Sequence, residues 1–420
     1  MKKRTVQRKK GTSILDQEKA ARRNLIIMWI ANFFIAGSMT MVLPFLSLYI
    51  ETFGDFSDQY VKHWSGWVFG ITFVSAIIFS PIWGRFGDKY GRKNILIISG
   101  TGLAICVFLM GFVTSVFQLF LLRFVMGIFT GFISIGQALI STETPKHLAG
   151  KVLGTLQTGN VSGALLGPLL GGVLADSIGF AKTFQLTAIT LILAAFLVLY
   201  GIKESRLDAG KEKKKRYTSK EVVSHILRHP MLLAVMFISI FIQIAHFSIQ
   251  PILALYVSEI HGPANLALFS GIAFSVTGLG NLLMARSWGR IADRFGYEKI
   301  LVLLLISSAI VYFPGAFVTN IWQLIILRFL LGVTIGGIIP VRTAYIRQVA
   351  PISIQGEVLG YNNSLRFLGN IIGPALGGLL SGYFGISSVF YVTSFLLLAC
   401  GIMLASVIKQ NPKYVTENRA

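Results

Sequence analysis

The chain has 420 residues, of which 54% are hydrophobic and only 13% charged. Soluble domains carry about 25% charged residues, so this composition excludes an ordinary water-soluble fold and points to the membrane class. The formal net charge of +21 would suggest a nucleic-acid partner in a soluble chain. Here all but five of the 38 Lys and Arg fall in segments that would share one side of a membrane. Lys62 and Lys182 fall on the other side, and Arg123, Arg328 and Arg366 sit inside apolar runs. That is the positive-inside bias, so the charge reports topology and no nucleic-acid partner is expected.

The basic head, residues 1–23, is too long and too charged for a cleavable signal peptide, and the first apolar run after it is of spanning length. Twelve apolar segments of spanning length follow, at 24–50, 64–83, 95–113, 117–140, 151–175, 182–202, 231–257, 266–287, 300–318, 322–341, 357–381 and 386–408. The reading is an all-α membrane protein of twelve transmembrane helices in two parallel six-helix repeats, 24–202 and 231–408. A linker, 203–230, joins them, and a tail, 409–420, ends the chain. An even number of crossings puts both termini and the linker on one side, and the charge bias makes that side cytoplasmic in a cell membrane. Lys211, Lys213, Lys214, Lys215 and Arg216 make the linker a solvated tether or a lipid head-group contact.

The two bundles repeat each other. Trp83-Gly-Arg-Phe-Gly-Asp88 matches Trp288-Gly-Arg-Ile-Ala-Asp293 at an offset of 205. Gln118 to Gly127 matches Gln323 to Gly332 at the same offset, Gly167-Pro168 matches Gly373-Pro374 at 206, and Pro44 answers Pro251 at 207. Two parallel repeats with a site between them near the midplane are a transporter architecture. No Gly-x-x-x-x-Gly-Lys-Ser/Thr loop occurs, so nothing points to ATP bound through a Walker motif. An ion gradient or the substrate's own gradient is left as the energy source. No cofactor or metal is expected. Cys106 and Cys400 lie in apolar runs without ligand or disulfide spacing, and no nucleophile–base pair suggests an enzyme.

In chain order, the first span carries Asn32. After the second span comes Gly84-Arg-Phe-Gly87-Asp88-Lys-Tyr-Gly91-Arg92-Lys93. Its glycines let a short chain reverse, and Asp88, a lone acid among bases, gains beside a helix N-terminus. Arg123 lies within the fourth span. A charge at the helix centre costs about 2.5–3.5 kcal/mol on insertion scales, so it must face protein or water, either as a functional group or as a structural one. Its repeat mate is Arg328. The fifth span carries Gly159, Gly163, Gly167 and Gly171 on one face, beside Pro168. That spacing suits close backbone packing, and Pro168 invites a kink. Gln157 and Asn160 are polar positions in the same span. The seventh span has Gln243, His246 and Gln250 on one face, and the eleventh has Asn362, Arg366 and Asn370. Each is a cavity candidate or a helix-to-helix hydrogen bond. No acid lies in the middle of a span. A coupled proton would therefore ride on a peripheral acid such as Glu51 or Glu143, on His246, or on the substrate. With arginines and no central acid, the cavity is expected to favour neutral, zwitterionic or anionic amphiphiles.

The 84–93 loop closely resembles the signature of the major facilitator superfamily between spans two and three. In that family the Asp and Arg form a cytoplasmic latch that opens and re-forms during alternating access. The resemblance carries that role to Asp88 and Arg92, with Gly84, Gly87 and Gly91. It carries over less fully to Asp293, because Tyr297 stands where an Arg would pair with it. The Arg123-Phe-Val-Met-Gly127 run resembles the family's fourth-span motif, whose Arg is implicated in proton transfer. Gly159 to Pro168, repeated by Gly373 and Pro374, resembles a fifth-span motif found in exporters and usually absent from importers. Over nearly its whole length the chain is similar to the twelve-span drug/proton antiporters. The runs Trp64 to Phe73, Leu153 to Pro168 and Tyr361 to Arg366 resemble the MdtG and PmrA type of bacterial multidrug exporter. The resemblance implies a monomeric, proton-driven efflux transporter in a bacterial membrane. Its substrates would be amphipathic small molecules such as fluoroquinolone-type antibiotics, and its partners would otherwise be protons and membrane lipid. A dedicated exporter of one metabolite, or a non-transporting sensor on the same fold, are the alternatives.

Overall fold

The computed structural model describes residues 2–144, 148–204, 219–351 and 354–410, except for the side chains of 2–19, 88, 143, 149–151, 219, 220 and 356. The five-base run Lys211 to Arg216 of the linker and the tail from 411 lie outside the described residues.

Among the described residues, twelve helices are long and apolar enough to cross a membrane: Ala20–Glu51, Asp58–Gly87, Arg92–Met110, Val116–Thr142, Val152–Ile178, Phe180–Gly201, Pro230–His261, Leu266–Phe295, Tyr297–Phe317, Ile321–Val349, Glu357–Phe384 and Ile386–Gln410. They are called spans 1 to 12. No strand occurs among the described residues. Between the bundles the linker contains a short helix, Ser219–Arg228, that buries Val222 and Ile226. Part of it is thus a packed element rather than a tether.

Apolar residues cover both the lipid-facing and the packed faces of each span, as expected where the solvent is hydrocarbon. Span 1 packs against 5 and 6, span 2 against 4, and span 3 against 6. In the second bundle span 7 packs against 11 and 12, span 8 against 10, and span 9 against 10 and 12. The bundles meet mainly through two pairs, span 2 with 11 and span 5 with 8, with smaller contacts of span 1 with 8 and of span 2 with 7.

The sequence repeat is repeated in atomic detail. Trp83 donates its indole N–H to the Ile128 carbonyl, and Trp288 does so to Val333. The Tyr49 hydroxyl reaches the Met110 carbonyl, and Tyr256 reaches Gly315. Pro44 and Pro251 each sit in a 3-10 turn that breaks spans 1 and 7, because proline removes the donor a continuous helix needs there. Gly91 and Gly296 end spans 2 and 8 at φ 96° and 99°, a backbone region that a β-carbon disfavours. The repeats differ in span 4, which breaks between Ile128 and Phe132, whereas span 10 runs unbroken from Ile321 to Val349.

Candidate functional site

Where the bundles meet, the contacts run from the middle of the spans to the end away from the basic loops, here called the far end. A β-carbon at Gly172 of span 5 would fall within 3.0 Å of the Ala267 carbonyl in span 8, and one at Gly271 would meet the Pro168 carbonyl as closely. Gly66 of span 2 and Pro374 and Gly378 of span 11 repeat that contact on the other side. The Gly–Pro element of span 5 therefore has two jobs. Gly163, Gly167 and Gly171 press on the backbone of span 1, while Pro168 and Gly172 meet the opposite bundle.

Polar groups reinforce this end. The span 8 helix begins after Asn265, whose own side chain caps nothing. Asp176, at the end of span 5, supplies the cap instead: its carboxylate accepts the backbone N–H of Ala267 at 3.2 Å and of Leu268 at 2.8 Å. Lys62 pairs with Glu259 at 3.4 Å, the His63 ring lies 4.8 Å from that of Tyr383, and Phe73 meets Phe247 at 5.3 Å.

At the basic end the same four spans stand apart. Gly84, Gly154, Gly289 and Gly360, one on each of spans 2, 5, 8 and 11, have nothing within 4 Å of where a β-carbon would be. They are repeat mates in two pairs, Gly84 with Gly289 and Gly154 with Gly360.

Beside Gly84 and Gly87 lies a cavity of about 190 Å³ reaching to Arg92, Gly131 and Ala138. Arg92 donates to the Ala138 carbonyl and the Thr142 hydroxyl of span 4, each at 2.7 Å. Arg92, of the expected latch, thus sits in a bracket between spans 3 and 4, beside Gly84 and Gly87 of span 2. Glu204, just past span 6, holds that bracket: its carboxylate accepts the N–H of Arg92 at 2.9 Å and of Lys93 at 3.2 Å. Gly91 has no side chain with which to cap span 3, so Glu204 does it. Glu204 carries no motif, and the sequence offered no sign of it. Asp88 continues the span 2 helix, and its side chain and that of Glu143 lie outside the described ones. In the second bundle the Tyr297 hydroxyl donates to Asp293, so Asp293 has a neutral local partner in place of an arginine.

Of the expected cavity residues, Gln243, Asn362 and Asn370 are buried and engaged between spans 7 and 11. Gln243 donates to Asn370 and Ser239 to Asn362, both at 2.8 Å. Gln157 accepts from Gln137 of span 4 at 3.1 Å. His246 meets Gln250 through Nε2 at 3.3 Å, leaving its buried Nδ1 without a partner. Asn32 is fully buried with neither amide atom bonded. Asn160 and Arg366 are half-buried, and Arg366 reaches Asn363 at 3.4 Å. Glu51 is exposed at the far end.

Arg123 is buried, with Phe69 5.8 Å beneath its guanidinium and the Met126 sulfur at 3.8 Å. Arg328 donates to the Ala273 carbonyl at 3.3 Å. The expectation that only three arginines lie in spans needs correction. Span 10 extends past 341 to Val349, and Arg342 within it has 0% exposure. The apolar run ends near Pro340, but the helix does not, and packing covers its next turns.

A twelve-span protein of two repeated bundles, closed at one end over a buried polar centre, is a membrane transporter. The Major Facilitator Superfamily profile matches residues 28–286 and again 236–420, and the chain belongs to that superfamily. Among its relatives, the MFS-type transporter YuxJ of Bacillus subtilis (strain 168) is 56% identical, the match covering 90% of this chain and 96% of the relative. Multidrug resistance protein MdtG of Enterobacter lignolyticus (strain SCF1) is 42% identical, covering 90% of each chain. MdtG of Salmonella typhi is 41% identical over 90% of this chain and 93% of its own. In fold the chain is similar to a bacterial homologue of the human lysosomal transporter Spinster in an inward-facing, occupied conformation, with TM-score 0.77, 13% identity and 92% and 96% coverage. It is similar also to a D-xylose–proton symporter, at TM-score 0.70, 15% identity and 92% and 97% coverage.

Proposed function

We propose that this transporter is a proton-coupled multidrug antiporter that exports amphipathic small molecules, fluoroquinolone-type antibiotics among them, by alternating access. The observation that carries the direction is the Gly–Pro element of span 5. It is the exporter-type motif, and its Pro168 and Gly172 form the contact with span 8 on which far-end closure rests. Similarity to proteins named for multidrug resistance supports the substrate range. With the basic loops and both termini cytoplasmic, the conformation described here is open inward. The proton gradient supplies the energy. His246 is a proton-carrier candidate inside a span, because its free Nδ1 can take a proton without breaking a hydrogen bond. Arg123 remains the candidate that the fourth-span motif offers.

The test is uptake of a fluorescent fluoroquinolone into everted membrane vesicles from cells lacking other pumps. Uptake should appear on energisation and collapse when the proton gradient is dissipated. Uptake indifferent to the gradient would remove proton coupling, and no uptake of any compound in a broad panel would remove multidrug export.

A further inference from the structure

The repeat allows the polar centres of the two bundles to be compared position by position. Gln137 of span 4 corresponds to Arg342 of span 10, Gln157 of span 5 to Asn363 of span 11, and Asn160 to Arg366. In the first bundle the amides of Gln137 and Gln157 close on each other, leaving a neutral wall. In the second, two of the three positions have become arginine.

Arg342 is fully buried, and none of its three guanidinium nitrogens has a hydrogen-bond partner. The amide that would answer it by symmetry, Asn363, is engaged by Arg366. Arg366 is half-buried, its Nε also lacks a partner, and spans 10 and 11, which carry the two arginines, pack against each other. Among the described residues no carboxylate pairs with either arginine. A buried, unpaired guanidinium is costly, and a second beside it adds repulsion. Both costs fall when an anion binds, because charge–charge attraction is strong where water is excluded and guanidinium is built for two-point contact with an oxyanion.

The geometry points to an oxyanion-binding position on the second bundle, between spans 10 and 11, that takes the carboxylate, phosphate or phosphonate group of an amphipathic substrate. Arg366 is the contact residue. Arg342 stands behind it as a buried charge that strengthens the site. The substrate's uncharged part is left to the neutral wall of the first bundle. This deepens the transport reading by naming the substrate class and rests on it.

The test is equilibrium binding to the purified full chain in uncharged detergent, which needs neither transport nor a proton gradient. The probes are a dansyl-tagged alkyl carboxylate and its methyl ester, followed by fluorescence anisotropy. The carboxylate should bind wild type about tenfold or more tightly than the ester. Arg342→Gln and Arg366→Asn install the residues of the first bundle. Each should shrink that ratio at least several-fold. Arg342→Gln should also melt at a higher temperature than wild type without probe, which shows that it folds and that a buried charge was relieved. Inorganic phosphate should displace the carboxylate competitively. Equal binding of acid and ester to wild type, or an unchanged ratio in both variants, would overturn the assignment. So would displacement by phosphatidylglycerol at concentrations below the probe's own, which would make this a lipid head-group site. Carboxylate binding that persists without gradient-driven export would count against the antiporter reading alone.

Discussion

The two ends of the bundle interface are built from the same four spans, yet only one end is closed. At the far end, glycines of spans 2, 5, 8 and 11 press on the facing backbone, Asp176 caps span 8, and Lys62 pairs with Glu259. At the basic end, Gly84, Gly154, Gly289 and Gly360 occupy the same spans with open space around them. Close approach of helices in a membrane depends on small residues, because lipid offers no hydrophobic drive for association. A surface built for contact but left without one is what the alternate state would use. On the alternating-access reading proposed above, the open glycines mark the seam that closes when the far end opens.

The largest expected effect comes from breaking one seam at a time. Gly172→Leu or Gly378→Leu should prevent far-end closure, and Gly84→Leu or Gly360→Leu should prevent closure at the basic end. All four should abolish transport while the protein still inserts. They should differ in accessibility. Cys106 and Cys400 are both buried, so a single cysteine introduced at either end reports labelling on a low background. Far-end variants should raise labelling at the far end, and basic-end variants at the basic end. Identical labelling in the two classes would mean that the open glycines face lipid.

Next in size is the latch. Asp88→Asn keeps the Gly91 turn and removes the charge, so efflux should fall at least about tenfold with expression unchanged, of the order expected for losing a hydrogen bond to a charged group. Asp293→Asn should cost less, because Tyr297 already gives that carboxylate a neutral partner. Efflux assays of the two variants side by side check the ranking. Equal losses would show that the two loops act alike despite their different partners.

How far such features could be read from sequence follows from how local each one is. The spans were legible because hydropathy is a property of a continuous segment, and the repeat was legible because residue identities recur at fixed offsets. The fifth-span glycines and Pro168 were legible as a packing face, but not the fact that Gly172 serves the other bundle. Asp176 and Glu204 cap helices more than 90 residues away in sequence, and no local pattern announces a cap supplied from elsewhere. Arg342 escaped because the apolar run ends before it. Burial there comes from neighbouring helices, which a single segment does not reveal.

Asp176 gives a finer test of the far end. Its carboxylate accepts two N–H groups at a helix N-terminus, where a negative charge is favoured by both the free donors and the dipole. Asp176→Asn keeps the shape but loses the charge, and can accept only through its one oxygen. The expected cost to the far-end-closed state is about 1–2 kcal/mol, a shift of roughly tenfold toward the alternate state. Far-end cysteine labelling should rise, though less than in Gly172→Leu. Unchanged labelling would reduce Asp176 to a bystander of the glycine contact.

The smallest effect belongs to Lys62–Glu259. The pair links the bundles, but Glu259 is 51% exposed and the distance is 3.4 Å. Exposed ion pairs are typically worth about 0.2–1 kcal/mol, because water and salt screen the attraction and two long side chains must be held still. Glu259→Gln should therefore change far-end labelling by no more than a few-fold, and added salt should erase the difference. Asp176 is itself exposed, so salt should screen its charge as well, but its hydrogen bonds to two backbone N–H groups remain, so part of the Asp176 effect should survive the same salt. A double variant gives the sharper reading. The two groups sit at different helix pairs, span 2 with span 7 for the ion pair and span 5 with span 8 for the cap, so their effects should add if each closes its own side independently. Effects smaller than additive would mean that breaking either side already opens the far end as one rigid-body rotation of the bundles.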